Sequence, residues 1–195
     1  REPGIDELLS SLVVVVDPCA NPDGRERHVS YWRSVAGDEP DPDPQALENE
    51  PPWPEGRTNH AGVDLNRDWA WATQPETRAR LAALRALPPQ VYVDVHEMGS
   101  EQSYFFPPPA EPVHPRVPEA AQARIAEFGK ANAEAFDARG WPYFSREVFD
   151  LFYPAYGDSW PTFHGMVGMT YEVGGKGGLA HRRKDGTVVT LKDRA

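Results

Sequence analysis

Three short apolar runs break an otherwise polar chain. Residues 12–17, "LVVVVD", form an uninterrupted β-branched stretch, the composition of a central strand covered on both faces. Residues 91–95, "VYVDV", and 168–173, "GMTYEV", read as two further buried strands. Between them the spacing becomes helical. "TQPE" at 73–76 offers a capping box with Pro75 in the first turn, so a helix is predicted from Thr73 to the breaking pair Pro88 and Pro89. A longer helix starts near Pro118, sets Ala121, Ile125, Phe128 and Ala135 on one face, and stops at Gly140.

Turn formers punctuate the rest. "PCANPDG", after the first run, supplies Pro, Asn, Asp and Gly and predicts a turn. Residues 34–60 are polar, acidic and proline-rich without periodicity, which predicts a surface loop rather than a linker between domains. "KDGT" at 184–187 has hairpin chemistry. Strands alternating with helices predict an α/β fold, a mixed central sheet flanked by helices, with residues 1–195 in a single domain. In such sheets functional side chains gather at the carboxyl ends of strands. Asp17, His96 and Glu172 each fall at or just past such an end.

Composition narrows the choices. A length of 195 residues supports one domain with its own core, and 39% hydrophobic with 26% charged residues is ordinary for a globular chain. A formal charge of -10 argues against nucleic acid as a partner, since that needs a basic face. The single cysteine, Cys19, excludes an internal disulfide and a cysteine-based zinc cluster. No apolar run reaches membrane-spanning length. The chain opens without an initiator Met or a signal peptide, as if inside a fold, so further polypeptide is expected upstream.

Candidate chemistry then stands out at a few positions. His96 follows a strand and is flanked by Asp94 and Glu97, which suits a metal-binding imidazole oriented by a carboxylate; a hydrogen-bonded structural histidine is the plainer alternative. Glu172 ends an apolar strand, where burial raises a carboxyl pKa toward general-base work; a salt-bridged glutamate is the plainer alternative. Asn66 and Arg67, in "AGVDLNRDWAW", place an amide beside a guanidinium fork suited to a carboxylate, unless Arg67 pairs with Asp64 or Asp68. Arg33 is ambiguous in the same way, beside Trp32. Tyr153 and Tyr156 either line a pocket or pack.

Taken in order, "NPDG" (21–24), "YWR" ending at Arg33, "GVDLNRDW" (62–69), "DVHE" around His96, "YPAYGDSW" (153–160) and "TYEVGG" (170–175) resemble the zinc carboxypeptidase family. The resemblance spans nearly the whole chain. It implies one Zn²⁺ with His96 as one ligand, and Glu172 as general base for the attacking water and then acid for the leaving amine. It implies Arg33 steadying the developing oxyanion and Asn66 with Arg67 gripping the terminal carboxylate. It further implies Tyr153 closing over the substrate with Tyr156 as the substitute, and Asp158 near the side-chain pocket, favouring Lys or Arg. The implied partners are peptide or protein C-termini, and a secreted or periplasmic setting is slightly favoured over a cytoplasmic one.

The departures carry information. The family's His-x-x-Glu motif is not among the residues before Asn21, so this chain supplies one metal ligand of three. Residues 1–195 alone are therefore expected to show little or no peptidase activity. Asp68 and Trp69 follow Asn-Arg where many members carry a second Asn. Two other readings remain open on the sequence: a zinc amidohydrolase of the aspartoacylase or desuccinylase type, and an inactive peptide-binding relative.

Overall fold

The computed structural model describes residues 4–176 and 178–194. Its centre is a four-stranded mixed sheet in the order β1-β4-β2-β3, built from β1 (Val91–Gly99), β2 (Tyr104–Phe105), β3 (Tyr143–Phe144) and β4 (Val167–Lys176). β1 and β4 run parallel, β2 pairs antiparallel with β4, and β3 closes the far edge parallel to β2. A short ladder of β5 (Ala180–Arg182) and β6 (Val188–Thr190) flanks "KDGT", so the predicted hairpin is present.

Helices cover both faces. On one, α4 (Glu119–Asp137) sets Ile125 against Met169 of β4 and Leu151, with Val113, Val167 and Tyr171 packed around them. Gly140, at φ 66°, follows the helix in the left-handed conformation that ends it without a Cβ penalty. On the other face, α3 (Pro75–Ala86) and α5 (Ser159–Phe163) bury Leu81 and Trp160 with Trp69 and Met166, against Tyr92 of β1. The α3 helix begins later than its sequence signature predicts. Its N-cap is Gln74, and Thr73 is held outside by buried Asp68, which accepts from both the Thr73 N–H and hydroxyl.

Three expectations fail. Residues 12–17 form no strand: Val13 and Val15 are 85% and 73% exposed, and no described strand pairs with them. β-branched composition favours extended backbone, but a strand also needs a neighbour to complete its ladder. For the same reason β1 is an edge strand, and Val91, Val93 and Val95 on its α4-side face are exposed rather than buried. The predicted turn "NPDG" instead starts α2 (Pro22–Val35). Asn21 caps it by accepting from the Gly24 N–H, and Pro22 fills the first position, a signature that was readable in the sequence.

Candidate active-site cleft

Strand alternation builds the site. Side chains two apart on a strand share a face, so Tyr92, Asp94 and His96 of β1 lie on the face opposite the exposed valines. The parallel register sets Asp94 beside Thr170 and His96 beside Glu172. A one-residue slip of either strand would send its polar pair to the opposite face. The cleft above these residues has a volume of about 290 Å³ and is lined by His96, Glu172, Thr170, Asp158, Asn66, Arg67, Arg57, Tyr156, Val148, Phe149 and Asp150.

His96 is held by its Nε2, 2.7 Å from Asp94 Oδ2 and 3.0 Å from Asn66 Nδ2. One nitrogen cannot donate to the first and accept from the second at once. The charge-assisted bond to Asp94 is the stronger, so Nε2 carries the proton and Nδ1 holds the lone pair of the neutral ring. Burial opposes a charge on this imidazole, but the hydrogen bond and charge of Asp94 outweigh it and lift its pKa above the ordinary value.

Glu172 is buried, and its Oε2 has no hydrogen-bond partner among the described residues. Burial pushes its carboxyl pKa up, reinforced by the charges of Asp94 and Asp158 and opposed by His96 and Arg57. An orphaned carboxylate oxygen is costly unless a proton or ligand meets it.

Arg67 makes no ion pair with either acid proposed as its partner. Asp64 pairs with Arg57 at 2.9 Å, and Asp68 is occupied by Thr73 and Gln74. Its guanidinium bonds the Asn66 carbonyl at 2.8 Å and lies over the Tyr156 ring at 4.4 Å, with its outer edge exposed. Asn66 is more committed than the sequence implied. Its Oδ1 accepts the Gly157 N–H at 2.7 Å, so it ties the loop before α5 to the sheet. Glycine is required at 157, because a Cβ there would run into the Asp94 carboxylate.

The two tyrosines divide. Tyr156 lines the cleft, whereas Tyr153 accepts a bond from Trp71 Nε1 at 3.1 Å and rests edge-on against Tyr156 outside it. Arg33 is not brought to the cleft. It lies exposed in the last turn of α2, and Arg57 is the second cation lining the cleft. Nothing in the loop sequence marks Arg57; its pairing to Asp64, beside the Thr58–Asp64 bridge, is a tertiary event. Asp94 was legible as the residue two before His96. Asp17, grouped with the strand-end residues, instead pairs with Arg80 of α3 at 3.4 Å.

Asp158 is buried, accepting from Thr170 Oγ1 at 2.8 Å and Ser159 Oγ at 3.1 Å. Burial raises its carboxyl pKa, and those hydroxyl bonds only partly offset it. An acid whose folded pKa exceeds its unfolded one binds more protons when folded, so its charge costs stability as pH rises through that window. Asp158→Asn is therefore expected to raise the melting temperature at neutral pH, with the gain vanishing below the unfolded pKa of about 3.9. Thermal melts across pH check both parts.

For a metal, the cleft offers one imidazole, with Nδ1 free of any hydrogen bond among the described residues, and the orphaned Glu172 oxygen beside it. These fit one edge of a zinc site and do not complete one. A group of three ligand-type side chains among the described residues, Asp23, His60 and Glu76, shares no member with the cleft. Its His60 and Asp23 already satisfy each other at 3.0 Å.

With this geometry in place, comparison with known proteins gives the family. The profile of the family described as zinc carboxypeptidase matches residues 1–182, and the chain belongs to that family. Among solved structures it is similar to a metallo-carboxypeptidase from Burkholderia cenocepacia, at 20% identity and a TM-score of 0.46. That match covers 69% of this chain and 33% of the other, so the chain spans about a third of its length. No curated protein sequence matches significantly. No described helix is long and apolar enough to cross a membrane.

Proposed function

We propose that these residues form the carboxylate-gripping and proton-transferring side of a metallocarboxypeptidase centre. The observation that carries the reading is that His96, Glu172, Asn66 and Arg67, spread over more than a hundred residues of sequence, line one cleft. Arg67, free of an acidic partner among the described residues, takes the carboxylate of a peptide's last residue, with Tyr156 holding its guanidinium plane. Glu172, raised by burial, accepts a proton from the attacking water and returns one to the leaving amine. Arg57, which lines the cleft while paired with Asp64, adds positive charge there for the oxygen that becomes negative. Asp94 fixes the His96 ring so that Nδ1 is the metal-facing nitrogen. Zinc, when bound there, supplies a Lewis acid for the scissile carbonyl.

The remaining zinc donors come from polypeptide other than these residues, because a single imidazole does not retain catalytic zinc. β1 is an edge strand with His96 near its carboxyl end, so a strand added alongside would bring its own end residues to the cleft. Residues 1–195 alone are expected to hydrolyse peptides negligibly; chelator-sensitive release of C-terminal residues by this chain would contradict the donor argument. For the complete enzyme, Asp158 predicts faster release of terminal Lys than of terminal Phe. Faster loss of Phe would remove Asp158 from the specificity role. Turnover confined to N-acyl amino acids would favour the amidohydrolase instead.

A further inference from the structure

Residues 55–59, which carry Arg57 to the cleft, belong to no helix or strand. Glu55 sits at φ 54°, a left-handed conformation that residues other than glycine rarely adopt. Yet every backbone carbonyl from Glu55 to Asn59 accepts a bond from Asn21, the cap of α2, or from Arg27 within it. Asn21 Nδ2 donates to the Gly56 and Arg57 carbonyls at 3.1 and 3.3 Å. Arg27 donates through Nη1 to the Glu55 and Thr58 carbonyls, both at 3.0 Å, and through Nη2 to the Asn59 carbonyl at 3.1 Å. The fit is close, since a Cβ at Gly24 would run into the Gly56 oxygen.

Arg27 gives its rigid fork of donors to neutral carbonyls spread over five residues, a span that a single ammonium group does not match. Bonds of this kind fix the direction of a backbone. With the carbonyls held against α2, the Arg57 side chain is carried to Asp64, which accepts from its Nε at 2.9 Å, and to the wall of the cleft. A strained segment over-determined by its surroundings, beside a binding cleft, points to a use beyond stability.

We infer that Arg27, together with Asn21, is a positioning residue: by shaping residues 55–59 it sets where the Arg57 guanidinium stands in the cleft. Neither Asn21 nor Arg27 lines the cleft, so both act through Arg57. This rests on the reading that Arg57 meets the oxygen that becomes negative when a terminal peptide bond is attacked.

The test is Arg27→Gln in the whole chain, with two calorimetric probes: an acetylated dipeptide, and its analogue with a phosphinate in place of the scissile amide. The first depends on Arg67 for its carboxylate, and the second adds an anion where Arg57 acts. Glutamine reaches fewer carbonyls, so affinity for the phosphinate falls roughly tenfold. The plain dipeptide stays within about twofold of the parent. Added to Arg57→Ala, the Arg27 change brings no further loss, because one residue acts through the other. Equal weakening of both probes, a fully additive loss in the double variant, or no weakening at all would each overturn the inference. Should Arg27→Gln not fold, Arg27→Lys replaces it, with the same selective loss expected and the same results against. Arg57→Ala alone separates the underlying reading. Unchanged phosphinate affinity in that variant removes Arg57 from the oxyanion role. A loss there with no change in the Arg27 variants removes only the positioning role.

Discussion

Arg67→Ala is expected to weaken binding of a peptide with a free C-terminal carboxylate by roughly 30-fold, about 2 kcal/mol. The figure is set at the low end for a truncated ion pair because the outer edge of Arg67 is exposed in the free protein, so little desolvation is already committed. Two observations make Arg67 the residue to remove. It has no carboxylate partner among the described residues, and its guanidinium is aligned by the Asn66 carbonyl and the face of Tyr156. Lysine at 67 should restore only part of the affinity, since a point charge cannot offer two parallel bonds or stack on the ring in the same way. Calorimetry with an acetylated dipeptide measures both variants. Unchanged affinity in Arg67→Ala would mean that the carboxylate is bound elsewhere, with Arg57 the next candidate.

The largest effect on stability is expected at Asp68. Its buried carboxylate accepts the Thr73 N–H at 3.0 Å, the Thr73 hydroxyl at 2.6 Å and the Gln74 N–H at 2.9 Å, and so fixes the chain entering α3. Asp68→Ala orphans all three donors at once, a loss of about 3 kcal/mol. In urea this should lower the midpoint without altering the slope. Burial pushes the Asp68 carboxyl pKa up, but the bonds from Thr73 and Gln74 outweigh it and leave the pKa below its ordinary value. An acid depressed in this way stabilises the fold above its unfolded pKa, and that contribution is lost as pH falls through the folded value. The gap between parent and variant should therefore narrow in acid. A midpoint that does not move at neutral pH would show that the three donors find other partners.

Asp68 also illustrates what the sequence could and could not reveal. Its proximity to Arg67 suggested an ion pair, yet the carboxylate turns the other way to serve a helix entrance five residues on. His96 and Glu172 were legible as strand-end residues, but the face they share with Asp94 depends on the β1–β4 register, which neither run reveals by itself. The α4 helix was legible from its helical spacing and its bounds fall close to it, although Phe128 and Ala135 of the predicted apolar face are exposed. Loop-borne residues were not. Arg57 and Val148 reach the cleft through tertiary ties, a salt bridge in one case and a pinned turn in the other, which leave no periodic trace. Arg33 failed to reach it because the Asn21 cap turns its segment into a helix that points it to solvent. The first apolar run was misjudged because burial was inferred from composition alone; without a neighbouring strand, five apolar residues remain exposed.

An imidazole, a carboxylate and a guanidinium line one cleft, and the proposed function requires that a chain end bind between them. An NMR titration of this chain with one peptide in two forms, free and amidated at the C-terminus, tests that requirement. The free form is expected to shift the signals of Arg67, Tyr156 and the His96 ring together, at one saturating concentration, while the amidated form leaves them in place. Shifts of the Arg67 signals without those of His96, or identical shifts from both forms, would contradict it.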